Sequence, residues 1–221
     1  MASGAIQAAG TDSMADMLAA LVASDGSRAH RWCGSPELTN GRNATRNLAD
    51  VVHFLCVLHG RHPGVLDHAA THTTHGAARE WLMQAVRGFA LERAYLASIV
   101  VAAGPLPSTP GQGDCEAAMQ GQRHALDMLA QSDRTGCALG AAIALVLDWT
   151  AIRDVLDTAA ERLGVDVAHR GLPDELETLT LAMVTAESAA IERALCFGAQ
   201  QLLTQQRGLW DLLEARHAAR L

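Results

Sequence analysis

Apolar positions recur along this chain at intervals of three and four, and polar residues fill the spaces between them, which is the pattern of packed amphipathic helices. The exception is Cys137 to Leu147, where every residue is apolar or small. A helix with that composition needs neighbours on all sides, so the segment near 135–163 is expected to be the central helix. On a helical wheel, Cys137, Ala141, Leu145, Ile152, Val155 and Ala159 form one stripe, and Asp148 falls in its middle. Arg153, Asp154, Asp157 and Glu161 gather on a different face.

The other elements follow from their boundaries. Ser13 and Asp16 can cap a short helix to about Ser24, with Met14, Met17, Leu18, Leu21 and Val22 facing a core. Residues 25–44 read as a long loop anchored by Trp32 and Leu38. Thr45 is the expected cap of a helix from Arg46 to His59 that stops at Gly60 in the left-handed conformation. Pro63 suits the first turn of the next helix, to Thr71 or beyond. A long helix then spans Ala77 to Ala103. The Pro- and Gly-rich segment 104–113 connects it to a helix from about Asp114 to Gln131. After the central helix and a turn over 164–172, Pro173 opens a last helical region with interruptions expected at Gly198 and Gly208. No run alternates as a sheet strand would, and no solenoid period repeats. The expected fold is therefore all-α. It is a single-domain antiparallel bundle of six or seven helices over residues 11–221, preceded by a flexible N-terminus over residues 1–10.

Several polar groups fall among the hydrophobic ones. Glu92 lies on or near the stripe Trp81, Leu82, Ala85, Phe89, Leu96, Ile99 and Val100. Glu187 lies at the centre of Leu176, Met183, Val184, Ala190, Ile191, Ala194 and Leu195. His59 joins Leu48, Val52, Leu55 and Leu58. With Asp148, this places one ionisable group on each of four presumed core faces. A buried carboxylate without a partner costs several kcal/mol or protonates, so these acids need compensation. Arginine pairing is one form of it, with Arg93, Arg153 and Arg193 as candidates. A ligand's amine or hydroxyl is another, and a metal held between bundle helices is a third.

Histidines add a second signal. His53, His59, His62, His68, His72 and His75 place six of the ten histidines in one short segment. If one helix continued through Thr73 and Thr74, then His68, His72 and His75 would share a face at i, i+4 and i+7, the spacing that lets imidazoles converge on zinc or iron. Against this, ferritin-like carboxylate sites use Glu-x-x-His on two helices, and the chain has that spacing only once, from Glu214 to His217, so resemblance to that class is architectural only. His124 sits on a polar face with Glu116, Gln120, Arg123 and Asp127, and reads as surface. Cys56 and Cys137 read as packing residues. Gly136, Gly140 and Ala144, four apart, let another helix approach the central one closely.

Composition narrows the chemistry. The chain has 221 residues and a net charge of -7, and all its basic side chains are arginine. Without lysine there is no Walker-type phosphate loop and no Schiff-base nucleophile. Scattered arginines on an acidic chain make a nucleic-acid surface unexpected. Five widely spaced cysteines, an odd number, read as free thiols in a reducing compartment. No signal-peptide pattern and no membrane-length apolar run occurs, so a cytoplasmic protein without membrane contact is expected, and the glycosylation pattern at Asn43 is discounted. Three functions fit. The first is a binding module that takes a small ligand or metal in its interior through Glu92, Asp148, Glu187 and His59. The second is an oxidative metalloenzyme of ferritin-like or haem-oxygenase-like shape holding iron on the same residues. The third is a non-catalytic structural or interaction protein, with a homodimer formed through an exposed Met/Leu helix face.

Overall fold

The computed structural model describes residues 13–221, and all its regular elements are helical. The expectation of a flexible N-terminus over residues 1–10 falls outside the described residues. In chain order the helices are α1 (Met14–Asp25), α2 (Pro36–Thr39), α3 (Ala44–His59), α4 (Val65–His72), α5 (Gly76–Ala103), α6 (Gln112–Ala130), α7 (Cys137–Leu163), α8 (Glu175–Thr185) and α9 (Ala189–Ala218). A single 3-10 turn, Ser27–Ala29, follows α1. The described residues thus hold nine helices, more than the six or seven expected. None of them is long and apolar enough to cross a membrane.

Helix α7 is the central one. It packs against α1, α3, α4, α5, α6, α8 and α9, and its most extensive contact is with α9. Cys137 through Val146 are all buried, as a helix without a polar face requires. Its contact with α9 is unusually close because two glycines face backbone. A Cβ on Gly140 would stand 2.1 Å from the Leu195 carbonyl oxygen, and one on Gly198 would stand 2.0 Å from that of Cys137. The expected interruption at Gly198 is therefore corrected. α9 runs unbroken through Gly198 and Gly208, and Gly198 serves close approach rather than helix termination.

Several boundaries rest on local caps. Ser13 and Asp16 form the reciprocal capping box expected for α1. α3 begins one residue earlier than Thr45, at Ala44 after Asn43, and Gly60 ends it with φ -74°, not left-handed. Trp32 and Leu38 are buried anchors of the segment after α1, as expected, although that segment also contains α2. The break in the C-terminal region lies at Ala186–Ser188, where Ser188 accepts a hydrogen bond from the Ile191 amide and starts α9. That break shifts the helical register. Leu176, Met183 and Val184, expected in the core, are exposed, and α8 buries Thr178, Leu181, Ala182 and Thr185 instead.

The end of α9 is fastened by charge. Asp50 on α3 is buried between Arg216 and Arg220, and Arg216 also donates to the Pro107 carbonyl at 2.9 Å. Two guanidinium groups thus supply the counter-charge for one buried aspartate.

The glycine contacts set a stability test. Gly198→Ala is expected to destabilise the protein by about 3 kcal/mol, at the upper end of overpacking costs, because its new methyl group meets backbone that cannot rotate away. Gly121→Ala, on α6 with no atom near its would-be Cβ, should be neutral or slightly stabilising. Urea unfolding of the two variants measures the contrast, and equal midpoints would contradict the close-packing account.

Candidate functional site

Of the four interior groups expected from the sequence, the fold brings two to one cavity. Glu92 from α5 and Asp148 from α7 both line a space of about 510 Å³. Apolar walls come from Ala19, Val22, Val146, Leu147, Ala151 and Leu172, while Arg28, Arg153 and Arg170 supply positive charge. The floor is α7, one wall is α1, and the segment after Gly164 closes another side.

Each acid is satisfied inside the protein. Glu92 is 1% exposed. Its Oε1 accepts from Arg153 Nη1 at 2.7 Å, and its Oε2 accepts from the same nitrogen at 2.9 Å and from Trp149 Nε1 at 3.0 Å. Arg153 is also fully buried. It donates through Nε to Asp157 at 2.7 Å, donates through Nη2 to the Ala168 carbonyl, and stacks its guanidinium 4.1 Å from the centre of the Tyr95 ring. A planar guanidinium with five donors can serve all these partners at once, which a lysine ammonium cannot. Asp157 in turn accepts from Tyr95 and Arg170. Burial pushes the Asp157 carboxyl up, but the hydrogen bonds from Arg153, Arg170 and Tyr95 outweigh it and hold the group below the ordinary carboxylate range.

Asp148 has a different partner. Ser27, in the turn after α1, donates to it twice, from its amide to Oδ1 and from its hydroxyl to Oδ2, both at 2.6 Å. This needs the glycine before Ser27, because a Cβ on Gly26 would stand 2.6 Å from Asp148 Oδ1. Burial raises the Asp148 pKa, with the Ser27 hydrogen bonds and the Arg28 charge opposing it. The mouth of the cavity carries Arg28 and Arg170, bridged by Asp154 at 2.8 and 2.9 Å.

The other two expected groups lie elsewhere. His59 is buried on the far side of Trp149, with the two rings edge to face at 5.6 Å between centroids. Its Nε2 pairs with Gln206 Oε1 at 3.0 Å. Burial lowers its pKa to about 4, and the Arg93 charge adds to the fall against the opposing Gln206 hydrogen bond. Glu187 is a correction. It lies between α8 and α9, is 61% exposed, and stands 3.4 Å from His75 Nε2, because the register expected for one continuous helix is lost at Ala186. The four groups do not form one centre.

The histidine triad is corrected as well. α4 ends at His72, Thr73 is extended, and His75 instead caps α5 by accepting from the Ala78 amide. His68 and His72 remain on α4 and His75 does not, so the three share no helix face. Among the described residues, no three His, Cys, Asp or Glu side chains stand together as a metal cluster. The acids that iron was expected to use also fit it poorly. Glu92 has both oxygens occupied by Arg153 and Trp149, and the adjacent guanidinium repels a cation.

Periodicity did not single out Ser27, Arg28 or Arg170 as site residues, since all three lie in connections. The Gly26-Ser27 pair was the one available hint, as a glycine beside a small hydroxyl often marks close backbone approach. Compared with known proteins, residues 22–221 match the profile of a family of unknown function, DUF6975, and the chain belongs to that family. No curated protein and no solved structure matches it.

Two measurements probe the interior. Arg153→Met should cost about 3 to 5 kcal/mol in urea unfolding, because it strands Glu92 as a buried unpaired carboxylate. The double variant Glu92→Leu with Arg153→Met should recover part of that loss, and a double variant as unstable as the sum of both singles would contradict the pairing. The second concerns acid. Neutral His59 contributes stability that is fully present above pH 6.5 and is lost as pH falls toward about 4, a range worth about 3 kcal/mol. Asp148, with its raised pKa, acts in the opposite sense, since its carboxyl costs stability as pH rises through its native pKa. The His59 share is therefore read as the difference in slope between the native chain and His59→Gln over that window, and parallel slopes would refute it.

Proposed function

We propose that this chain is a binding protein whose cavity between α1, α5, α7 and the 164–174 segment takes a small amphipathic molecule with an apolar body and one acidic group. The observation that carries this reading is the imbalance of free hydrogen-bonding capacity around the cavity of about 510 Å³. Both oxygens of Glu92 and of Asp148 already accept from protein donors. Arg28 and Arg170 each engage their acids through Nη2 alone, leaving further N–H donors at the mouth. Of the other acids there, Asp174 caps α8 and Glu175 is exposed at the outer edge. A mostly apolar pocket with a few placed polar groups is the usual form of a small-molecule site, and this volume lies within the usual range. The interior acids position the walls, and the ligand's charge is read at the rim.

The test uses anilinonaphthalene sulfonate, which pairs an apolar ring system with one anion. Saturable binding at one site per chain is expected. Thr150→Trp, which places a large ring at the exposed edge of the cavity, and Arg170→Gln, which removes the rim charge, should each weaken it by about tenfold, some 1.4 kcal/mol. Binding that neither substitution alters, or no saturable site at all, would remove the proposal.

A further inference from the structure

A second cavity, of about 340 Å³, lies on the other side of the bundle between the α3–α4 connection, α5 and α6. Three arginines line it from three elements, Arg61, Arg93 and Arg123, together with His59, His62 and His68. Its acids are Asp67 and Asp127, so the guanidinium groups outnumber the carboxylates.

These charges are unevenly used. Asp67 is buried, and its Oδ2 accepts from the Gly64 amide at 2.8 Å and from both terminal nitrogens of Arg93 at 2.9 Å, with His62 Nδ1 at 3.3 Å. Asp67 is thereby committed to Arg93. Arg61 and Arg123 make no ion pair among the described residues. Arg123 is half-buried, and its Nε is wholly buried without a hydrogen-bond partner. Asp127, one helical turn along α6 from Arg123, makes no side-chain hydrogen bond or ion pair among the described residues, although its backbone carbonyl accepts from Gln131. A guanidinium that is partly removed from water and left without an acceptor is under-compensated, and an anion is the compensation it lacks.

We infer that this cavity is a site for a phosphate group, held chiefly by Arg123 and Arg61, with Arg93 kept in place by Asp67. Guanidinium groups suit this ligand because their planar fork matches the spacing of phosphoryl oxygens, and the cavity has room for the group and a small substituent. Asp127 and the unpartnered Oδ1 of Asp67 are the negative charges that oppose binding. The site is separate from the cavity of the proposed amphipathic ligand, and the two can succeed or fail independently.

Titration of the full-length chain with inorganic phosphate at low ionic strength, followed by calorimetry and phosphorus NMR, tests the inference. Saturable binding to one site, with a dissociation constant at or below about 1 mM, is expected. Arg123→Gln should weaken it at least about tenfold, Asp127→Asn should tighten it, and Arg207→Gln, at an exposed arginine on α9, should leave it unchanged. Because Arg123 is half-buried, Arg61→Gln at the exposed rim gives a second loss-of-binding variant that does not depend on refolding the wall. Phenyl phosphate run in parallel identifies the source, since tighter binding than inorganic phosphate points to a phosphate ester and equal binding to the free ion. Absence of saturation, equal weakening by Arg207→Gln, or binding that neither Arg123→Gln nor Arg61→Gln reduces would overturn the inference.

Discussion

The closeness of α7 to α9 governs the rest of the architecture. An apolar helix without a solvent face must be covered on every side, and the contact at Gly140 and Gly198 brings backbone against backbone where side chains would otherwise hold the helices apart. Once that spacing is fixed, Cys137 through Val146 are buried and α3, α4, α5 and α6 complete the surround. The second half of α7 then has to carry its polar residues into a region that is still largely enclosed. Asp148 and Arg153 are buried as a consequence of where the helix runs.

The fold resolves that burial with fixed cations and short polar contacts. Arg153 meets Glu92 and Asp157, Arg93 meets Asp67, and Arg216 meets Asp50. The Arg153–Glu92 and Arg216–Asp50 pairs join helices distant in sequence, Arg93–Asp67 joins the consecutive α4 and α5, and Arg153–Asp157 links adjacent turns of one helix. Guanidinium groups do not deprotonate in proteins, and their planar fork can face several acceptors at once, which suits them to this task. Asp148 is the exception, held by a serine rather than an arginine, and with His59 it is where acidity reaches the interior.

The helices were legible because their signals are local. The stripe from Cys137 to Ala159, the stop at Gly164 and the capping box at Ser13 all depend on residues within a turn or two of each other, and the structure places them as the pattern implies. Burial of Glu92, Asp148 and His59 followed from the same periodicity. Glu187 did not, because it lies inside the break at Ala186–Ser188, on neither helix, and that three-residue interruption carries no proline or glycine to mark it. The histidine spacing failed for a related reason, since Thr73 leaves the helix before His75 is reached. Which partner meets each acid was not legible at all. Ser27 and Asp148 lie 121 residues apart, and only the tertiary fold brings them together.

Trp149 has a position whose consequence is architectural. Its indole lines the cavity that contains Glu92 and Asp148, while its other edge meets His59 and Phe89, which line the opposite cavity. A cluster of three rings, Trp149, His59 and Phe89, therefore stands between the two hollows. Trimming the Trp149 indole would enlarge the first hollow, while His59 and Phe89 would still wall off the second.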